Sequence, residues 1–577
     1  MKKILALMLA VCLLAVTGLA LAEATYPAGT YTATVQSIKG PLTVSVTLSE
    51  TAITDVTVVE HNDTAVVADV AFERITKEIL DKQTLAVDMV SGATGTSAGF
   101  LYGVRTALQG AGVDLAALNI PAEKAERIAG ETEEFDVVIV GAGGAGLSAA
   151  SQLTRESDLK VLVLEKLSYF GGSTRFSGGA IWMRGTEKNT EIDFEPEYLI
   201  EFFEGRSETE LNRPLLTAIG ESIPDVMGYY IEKNIPLNPE WGGVGYTGSK
   251  LYLESPDNEG QGIVEFLAQL ASDCGAEIRL DSAATSLIIE DGAVVGVNVS
   301  DLTTDYAVRA KKVILATGGF TQNEEIIKEI APGFTNNVPF TGPGSDGDGI
   351  MMTRELNIPI VGEGMMAYKC LNLNYGYYGE IGGLVGTPSA LFNLEGKRFC
   401  NEKMFYGELT YPLNAQTDKI AYGLVDSNSS SVESLEKAVE LGVIYKVNTI
   451  EEAAELTGMD KANLVASVEK YNADFATGND DPDFGVPNAR MIPILDAPYY
   501  VVPVHPGFIG SIPGLLVNEK TEVVNADGEI IPNLYACGEL IFGNVFNKFY
   551  PASGTGVGMA VYTGAISGNQ AKAVLAE

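Results

Sequence analysis

Residues 135–166 read FDVVIVGAGGAGLSAASQLTRESDLKVLVLEK. The apolar run Val137–Val140 enters a glycine turn in which Gly141, Gly143 and Gly146 hold a G-x-G-x-x-G spacing. Small residues follow (Ala145, Ala149, Ala150), and a second apolar run, Val161–Leu164, ends in Glu165 and Lys166. This order predicts strand, turn, helix and strand in about 30 residues, the unit of a Rossmann-like α/β fold. The glycines let backbone approach a pyrophosphate at a helix N-terminus, and an acidic residue ~20 positions on suits a ribose hydroxyl. A bound dinucleotide is expected, with Gly141, Gly143, Ala145, Gly146, Glu165 and Lys166 around it. The alternative is an ordinary βαβ turn.

Further segments repeat the theme downstream. FGGSTRFSGGAIW (170–182) is a polar glycine loop with exposed amides, suited to a pyrophosphate and a flavin edge. AKKVILATGGF (310–320) and LYACGEL (534–540) are strands running into glycine, and GSDGDGI (344–350) sets Asp348 in a turn. Together they resemble the two-dinucleotide-binding flavoprotein family of fumarate reductases, urocanate reductases and 3-ketosteroid dehydrogenases. The resemblance runs from about 133 to 577. It implies non-covalent FAD, with Glu165 at the adenosine ribose. It also implies FAD contacts from Gly172, Ser173, Thr174, Gly178, Gly179, Ala284, Thr317, Gly318, Asp348, Glu539, Gly556 and Val557. The FAD-binding domain then spans 134–363 and 505–577, with an α+β capping domain inserted at 364–504. Within the cap, TIEEAAELTGMDKANLVASVEKYNADFATG (449–478) reads as helices.

Upstream, residues 23–116 form a smaller α+β unit. TYTATVQSI and LTVSVTL alternate as half-buried strands do, ITDVTVVEH is a third, AFERITKEILDKQ reads as an amphipathic helix, and a second helix follows a loop. The segment Asp88-Met89-Val90-Ser91-Gly92-Ala93-Thr94 resembles the D-x-x-[ST]-G-A-T motif of the FMN-binding domain in sodium-pumping quinone reductase subunits and exported flavin reductases. That resemblance implies covalent FMN, attached through phosphate at Thr94 by a flavin transferase. A Ser/Thr turn capping the following helix is the structural alternative. Residues 117–133 are charged and read as a linker with some helix. At the start, Lys2 and Lys3 precede the apolar stretch Ile4–Val16, and Ala20-Leu21-Ala22 offers a cleavage site. Residues 1–22 are read as a signal peptide, so an exported protein is expected.

The chain has 577 residues, too many for one core, with 46% hydrophobic and 20% charged residues, as a globular protein has. A net charge of −38 argues against nucleic acid and anionic membrane surfaces as partners. Cys274, Cys370, Cys400 and Cys537 are scattered without a zinc or haem spacing, and only His61 and His505 are present, so no metal site is expected.

Saturating an activated C=C needs a hydride at one carbon, a proton at the other and stabilisation of the charge between. A carboxylate substrate calls for Arg and His. The fumarate reductase positions for such groups fall here at Lys369, Gly382, Val385, Tyr406, Gly510 and Pro551, so one lysine replaces a cationic set. Arg398-Phe399-Cys400-Asn401-Glu402 through Tyr406 resembles instead the cap segment of 3-ketosteroid dehydrogenases, which implies Tyr406 as proton donor. Tyr550-Pro551-Ala552-Ser553-Gly554 resembles their Y-P-x-x-G segment, which implies a ketone-oxygen grip by the Tyr550 hydroxyl and Gly554 amide. Packing of Tyr406 in the cap, and a rigid turn at Tyr550–Pro551, are the structural alternatives. An assisting tyrosine falls at Tyr246 or Tyr230. The expected activity is reduction of a bulky apolar enone, 3-oxo-steroid-like, with electrons from a membrane or extracellular donor passing through FMN to FAD. The rivals are reduction of an α,β-unsaturated carboxylate with Lys369 or Lys548 as counter-charge, ketosteroid oxidation, and a flavin relay without a substrate site.

Overall fold

The structure is a computed structural model that describes residues 26–121, 126–182, 196–207, 209–237, 252–254, 259–370, 389–404, 406–428, 432–440 and 442–577. It divides into two compact units, 1–125 and 126–577. The signal-peptide stretch lies outside the described residues. Among the described residues, no helix is long and apolar enough to cross a membrane.

In the first unit, strands Gly29–Gln36, Pro41–Leu48 and Ile53–His61 pair antiparallel in chain order. The middle strand alternates cleanly: Leu42, Val44, Val46 and Leu48 are buried and the residues between them are not. Helices Ala65–Lys82 and Thr94–Gly110 contribute Phe72, Ile75, Ile79, Phe100 and Val104 to the core, with the Phe72 and Phe100 rings 5.0 Å apart. Each such side chain contributes about 1.5–3 kcal/mol on burial. The first helix begins six residues earlier than the sequence reading placed it, because Val67 and Ala68 bury there and extend the apolar face. The linker reading of 117–133 also changes. Leu118 is buried and its carbonyl accepts from Leu85 N at 2.7 Å, while Ile128–Ala129 pairs with Thr304–Asp305.

The second unit is organised on a nine-stranded sheet. Glu133–Val140 lies at its centre, parallel to Val161–Leu164 on one side and to Thr304–Leu315 on the other. Val137–Val140 and Val161–Leu164 are buried at every residue, as a parallel sheet covered on both faces requires. Helix Gly144–Thr154 is buried throughout, and the terminal helix Thr555–Ala576 packs on it. A Cβ at Gly564 would overlap the Ala145 carbonyl oxygen, so the two helices touch backbone to backbone.

A second sheet of six strands is built around the 13-residue strand Tyr499–Ser511. Met365–Cys370 pairs with it antiparallel and Val338–Pro339 parallel, so the chain reaches this sheet before residue 364 and leaves it after 504. Its helices include Tyr406–Asn414, Ile450–Thr457 and Lys461–Ala476. The second of these has a side-chain cap of its own: Thr449 Oγ1 accepts from Glu452 N at 3.1 Å and Glu452 accepts from Asn448 N at 2.7 Å. Arg398 is buried against Glu402 (3.0 Å) and Asp481 (2.9 Å), with the Tyr471 ring at 4.8 Å.

Candidate active site

Two close approaches make the turn after the central strand. Gly141 has φ +108°, and a Cβ there would overlap the Ala316 carbonyl oxygen on the neighbouring strand. A Cβ at Gly146 would overlap the Gly141 carbonyl oxygen, so helix Gly144–Thr154 is pressed onto the turn. Gly143 caps that helix without a side chain, which leaves its first amides open to a ligand anion.

A cavity of about 370 Å³ opens at this turn. Gly141, Gly143, Ala145, Glu165, Lys166, Gly172, Ser173, Thr174 and Gly178 line it, as do Ala284, Thr317, Gly318, Asp348, Glu539, Tyr550, Gly554, Gly556 and Val557. Segments more than four hundred residues apart thus meet at one space. Two sequence-predicted residues do not line it. Gly146 stands behind the turn, where its role is the close helix approach, and Gly179 continues the loop with φ +70°.

Glu165 is buried, and its carboxylate accepts from Ala142 N at 3.0 Å and Leu167 N at 2.9 Å. Burial raises its pKa against those two bonds. The residue expected at the ribose therefore also splints the glycine turn. Lys166 bonds Asp346 and, at 2.7 Å, Asp348. Burial pulls its pKa down, but the two carboxylates outweigh it and hold the amine charged. Glu539 is buried with Oε1 accepting from Ser511 N (2.7 Å) and Ser511 Oγ (2.9 Å). Burial dominates there and pushes its pKa up to about 7.

These donors fit FAD. Thr317 Oγ1 and Ser345 Oγ are buried polar atoms without a protein partner, and both residues line the cavity. Native interiors seldom leave hydroxyls so, and a hydroxyl- and phosphate-rich ligand satisfies them. The open helix N-terminus accepts a pyrophosphate, and Gly318 has open space above it.

Tyr550 is buried and packs edge-on to Phe546, with centroids 6.2 Å apart. Burial raises its pKa, while Thr555 and the amides of Gly556, Gly554 and Thr555 surround its hydroxyl and oppose the rise. This is the first turn of helix Thr555–Ala576, capped by Gly554 at φ +82°. With amides as donors around the oxygen, the phenolic proton is what Tyr550 has to give to a ligand. Met366 and Tyr550 both flank Gly556, at 3.5 and 3.6 Å from its Cβ position. Phe340, Ile509 and Phe542 also line this cavity. Among the described lining residues the single cation is Lys166, already bound to two carboxylates.

Tyr406 begins helix Tyr406–Asn414, and Lys369 stands opposite Pro506 in the cap sheet; their side chains lie outside the described residues, as does Tyr246. Tyr230 is a core residue, its hydroxyl 2.9 Å from both Ser148 Oγ and Ser151 Oγ, and is not an assisting tyrosine. The Lys548 amine lies 4.9 Å above the Phe549 ring. Thr94 is exposed at the start of helix Thr94–Gly110. Sequence reasoning missed Ser345, Phe340, Met366 and Ile509. Ser345 stood in the same glycine turn as Asp348; Met366 and Ile509 are ordinary strand residues and Phe340 directly follows a strand, none with a local signal.

A family model described as FAD binding domain matches residues 136–557, and one described as FMN-binding domain matches 38–109. A urocanate reductase of Eggerthella lenta is 30% identical over 532 residues, covering 88% of this chain and 87% of that protein. An NADH:acrylate oxidoreductase of Vibrio harveyi is 28% identical over 603 residues, covering 90% of this chain; the chain spans 59% of that protein's length. A 3-ketosteroid delta1-dehydrogenase of Sterolibacterium denitrificans, solved with 1,4-androstadiene-3,17-dione, superposes with a TM-score of 0.68 at 20% identity. That alignment covers 77% of this chain and 100% of the dehydrogenase, and it shows a shared fold.

Proposed function

The chain belongs to the FAD binding domain family, and from that membership we propose that it is a flavin-dependent oxidoreductase acting on carbon–carbon double bonds. The substrate class we propose is an enone, a C=C conjugated to a ketone on a bulky apolar frame. The observation that supports it most is the apolar part of the cavity lining. Phe340, Met366, Ile509 and Phe542 are apolar, and among the described residues no cation free of a carboxylate faces the cavity. A dicarboxylate entering such a space would be desolvated without counter-charge.

FAD held by the residues lining the cavity would supply the hydride. The residues of the chain then have three tasks. Tyr550 donates its phenolic proton to the ketone oxygen as it becomes an enolate, and the Gly554 amide, seated against the same hydroxyl, polarises that preplaced donor. Tyr406 gives its phenolic proton to the α-carbon and recovers one from solvent. The apolar walls exclude water, which strengthens both hydrogen bonds. The ketosteroid direction, oxidation, is disfavoured by the FMN-binding segment, whose proposed role is electron entry.

The entry route belongs to the same proposal. A flavin transferase joins Thr94 Oγ to the phosphate of FMN, breaking the phosphoanhydride of a flavin dinucleotide and releasing AMP. The protein works outside the cytoplasmic membrane, and a membrane or extracellular donor reduces the FMN. Covalent attachment keeps the flavin on an exported protein.

A second reading is favoured by one finding: the two sequence relatives act, by name, on urocanate and acrylate. On that reading the substrate is an unsaturated carboxylate and Lys369 or Lys548 supplies the charge. A panel of enones, fumarate, urocanate and acrylate, with reduced viologen as donor, separates the two. Turnover of the carboxylates and of no enone would overturn the enone reading.

A further inference from the structure

Three of the exposed large apolar side chains of the first unit, which also include Val59 and Ile120, belong to segments that meet the helix beginning at Thr94. Tyr102 is 60% exposed, Ile38 53% and Met89 50%. Single exposed apolar residues are ordinary, but these three are joined by chain or contact to the helix that Thr94 begins. Met89 belongs to the loop that leads into Thr94. Ile38 lies against Gly95, where a Cβ would overlap its Cδ1. Tyr102 is eight residues beyond Thr94 on the same helix, with exposed Ala98 midway, so the three stand on successive turns of one exposed side. The opposite side buries Phe100, Val104, Ala107 and Leu108. Core packing therefore gives Tyr102 nothing to do.

The distances along the helix match a tethered flavin. Thr94 and Tyr102 are separated by ~12 Å along the axis. A ribityl phosphate esterified to Thr94 Oγ is a chain of about eight bonds of roughly 1.5 Å, which extends to ~10 Å before the ring begins. A ring on that chain arrives over Ala98 and Tyr102 after passing Gly95 and Ile38. A shorter tether would stop at Ala98, and a helix face of charged residues would offer the ring no apolar cover.

We propose that Tyr102 is the stacking surface for the isoalloxazine of FMN tethered at Thr94, with Ile38 covering the opposite edge. This rests on the attachment reading above. A tyrosine ring in contact with an oxidised flavin quenches its emission by electron transfer from the phenol, so the stack has a signature independent of turnover.

The test uses the full chain produced with a flavin transferase. Peptide mass spectrometry first establishes FMN on Thr94 in every sample, and a Thr94→Ala chain supplies the emission background of FAD. Wild type should show strongly quenched FMN emission. Tyr102→Leu should raise it several-fold, Tyr102→Trp should keep it low, and Tyr31→Leu should leave it at the wild-type level. Thermal melting of each chain checks that the fold is intact. An FMN adduct on Thr94 with equal emission in wild type and Tyr102→Leu would overturn the stacking inference alone. No adduct on Thr94 of the wild type would overturn the attachment reading and the inference built on it.

Discussion

The Tyr550 hydroxyl and the Gly554 amide meet at the first turn of the terminal helix, beside the cavity that both residues line. They are four residues apart in sequence, and the tight turn between them, closed by Gly554 at φ +82°, brings them together. Removing the hydroxyl leaves the ring and the fold in place. Tyr550→Phe should lower kcat/KM for an enone by about 100-fold, the usual loss for one such donor. FAD content, read from flavin absorbance, should stay at the wild-type level. Equal kcat/KM in the two proteins would remove Tyr550 from the oxygen site.

Tyr406 is assigned a separate step, protonation of carbon. Tyr406→Phe should reduce turnover by about 10²–10⁴-fold, the range for a general acid. Anaerobic titration should show FAD still bound and still reduced by viologen. Unchanged turnover would return Tyr406 to the role of a packing residue in the cap.

Glu539 gives a pH dependence with a definite sign. Burial raises its folded pKa to about 7, above the ordinary carboxylate value. The folded chain therefore binds more protons than the unfolded chain between those two values. Stability from this group is fully present below the ordinary pKa and is lost as pH rises through about 7. The difference is on the order of 3 kcal/mol. In FAD-stripped protein, wild type should lose melting temperature from pH 5 to 8 more steeply than Glu539→Gln. Parallel curves would contradict the assignment.

The Arg398 cluster predicts a stability effect remote from the cavity. Arg398, Glu402 and Asp481 are 6%, 0% and 0% exposed at their side chains. Arg398→Met strands two buried carboxylates and should cost about 3–5 kcal/mol by denaturant unfolding. Replacing all three with apolar residues of similar volume should recover most of that loss. A small effect of Arg398→Met alone would show that water reaches the cluster.

Local patterns made much of the scaffold legible. Val137–Val140 and Val161–Leu164 had to be buried parallel strands, and the glycine spacing between them had to be a close turn, because only glycine fits beside the Ala316 carbonyl. The segment 449–478 read as helices, which the structure caps with Thr449 and Asp460. Other features depended on tertiary contacts. Val338–Pro339 joins the cap sheet only because Gly507 and Phe508 pass alongside, and Ile128–Ala129 forms only against Thr304–Asp305. At the site, the glycines and carboxylates carried sequence signals. Phe340, Met366 and Ile509 did not, since an apolar wall looks like core until the cavity beside it is known. Tyr230 misled for the same reason: its hydroxyl serves Ser148 and Ser151 inside the core.

On the proposed function the site reads a neutral ketone. The most direct measurement pairs two substrates that share one skeleton, 4-phenyl-3-buten-2-one and cinnamate, against the dithionite-reduced chain in anaerobic stopped flow. Rapid FAD reoxidation by the ketone, slowed by Tyr550→Phe, and none by the carboxylate is the expected result. Rapid reoxidation by cinnamate with an inert ketone would contradict that function.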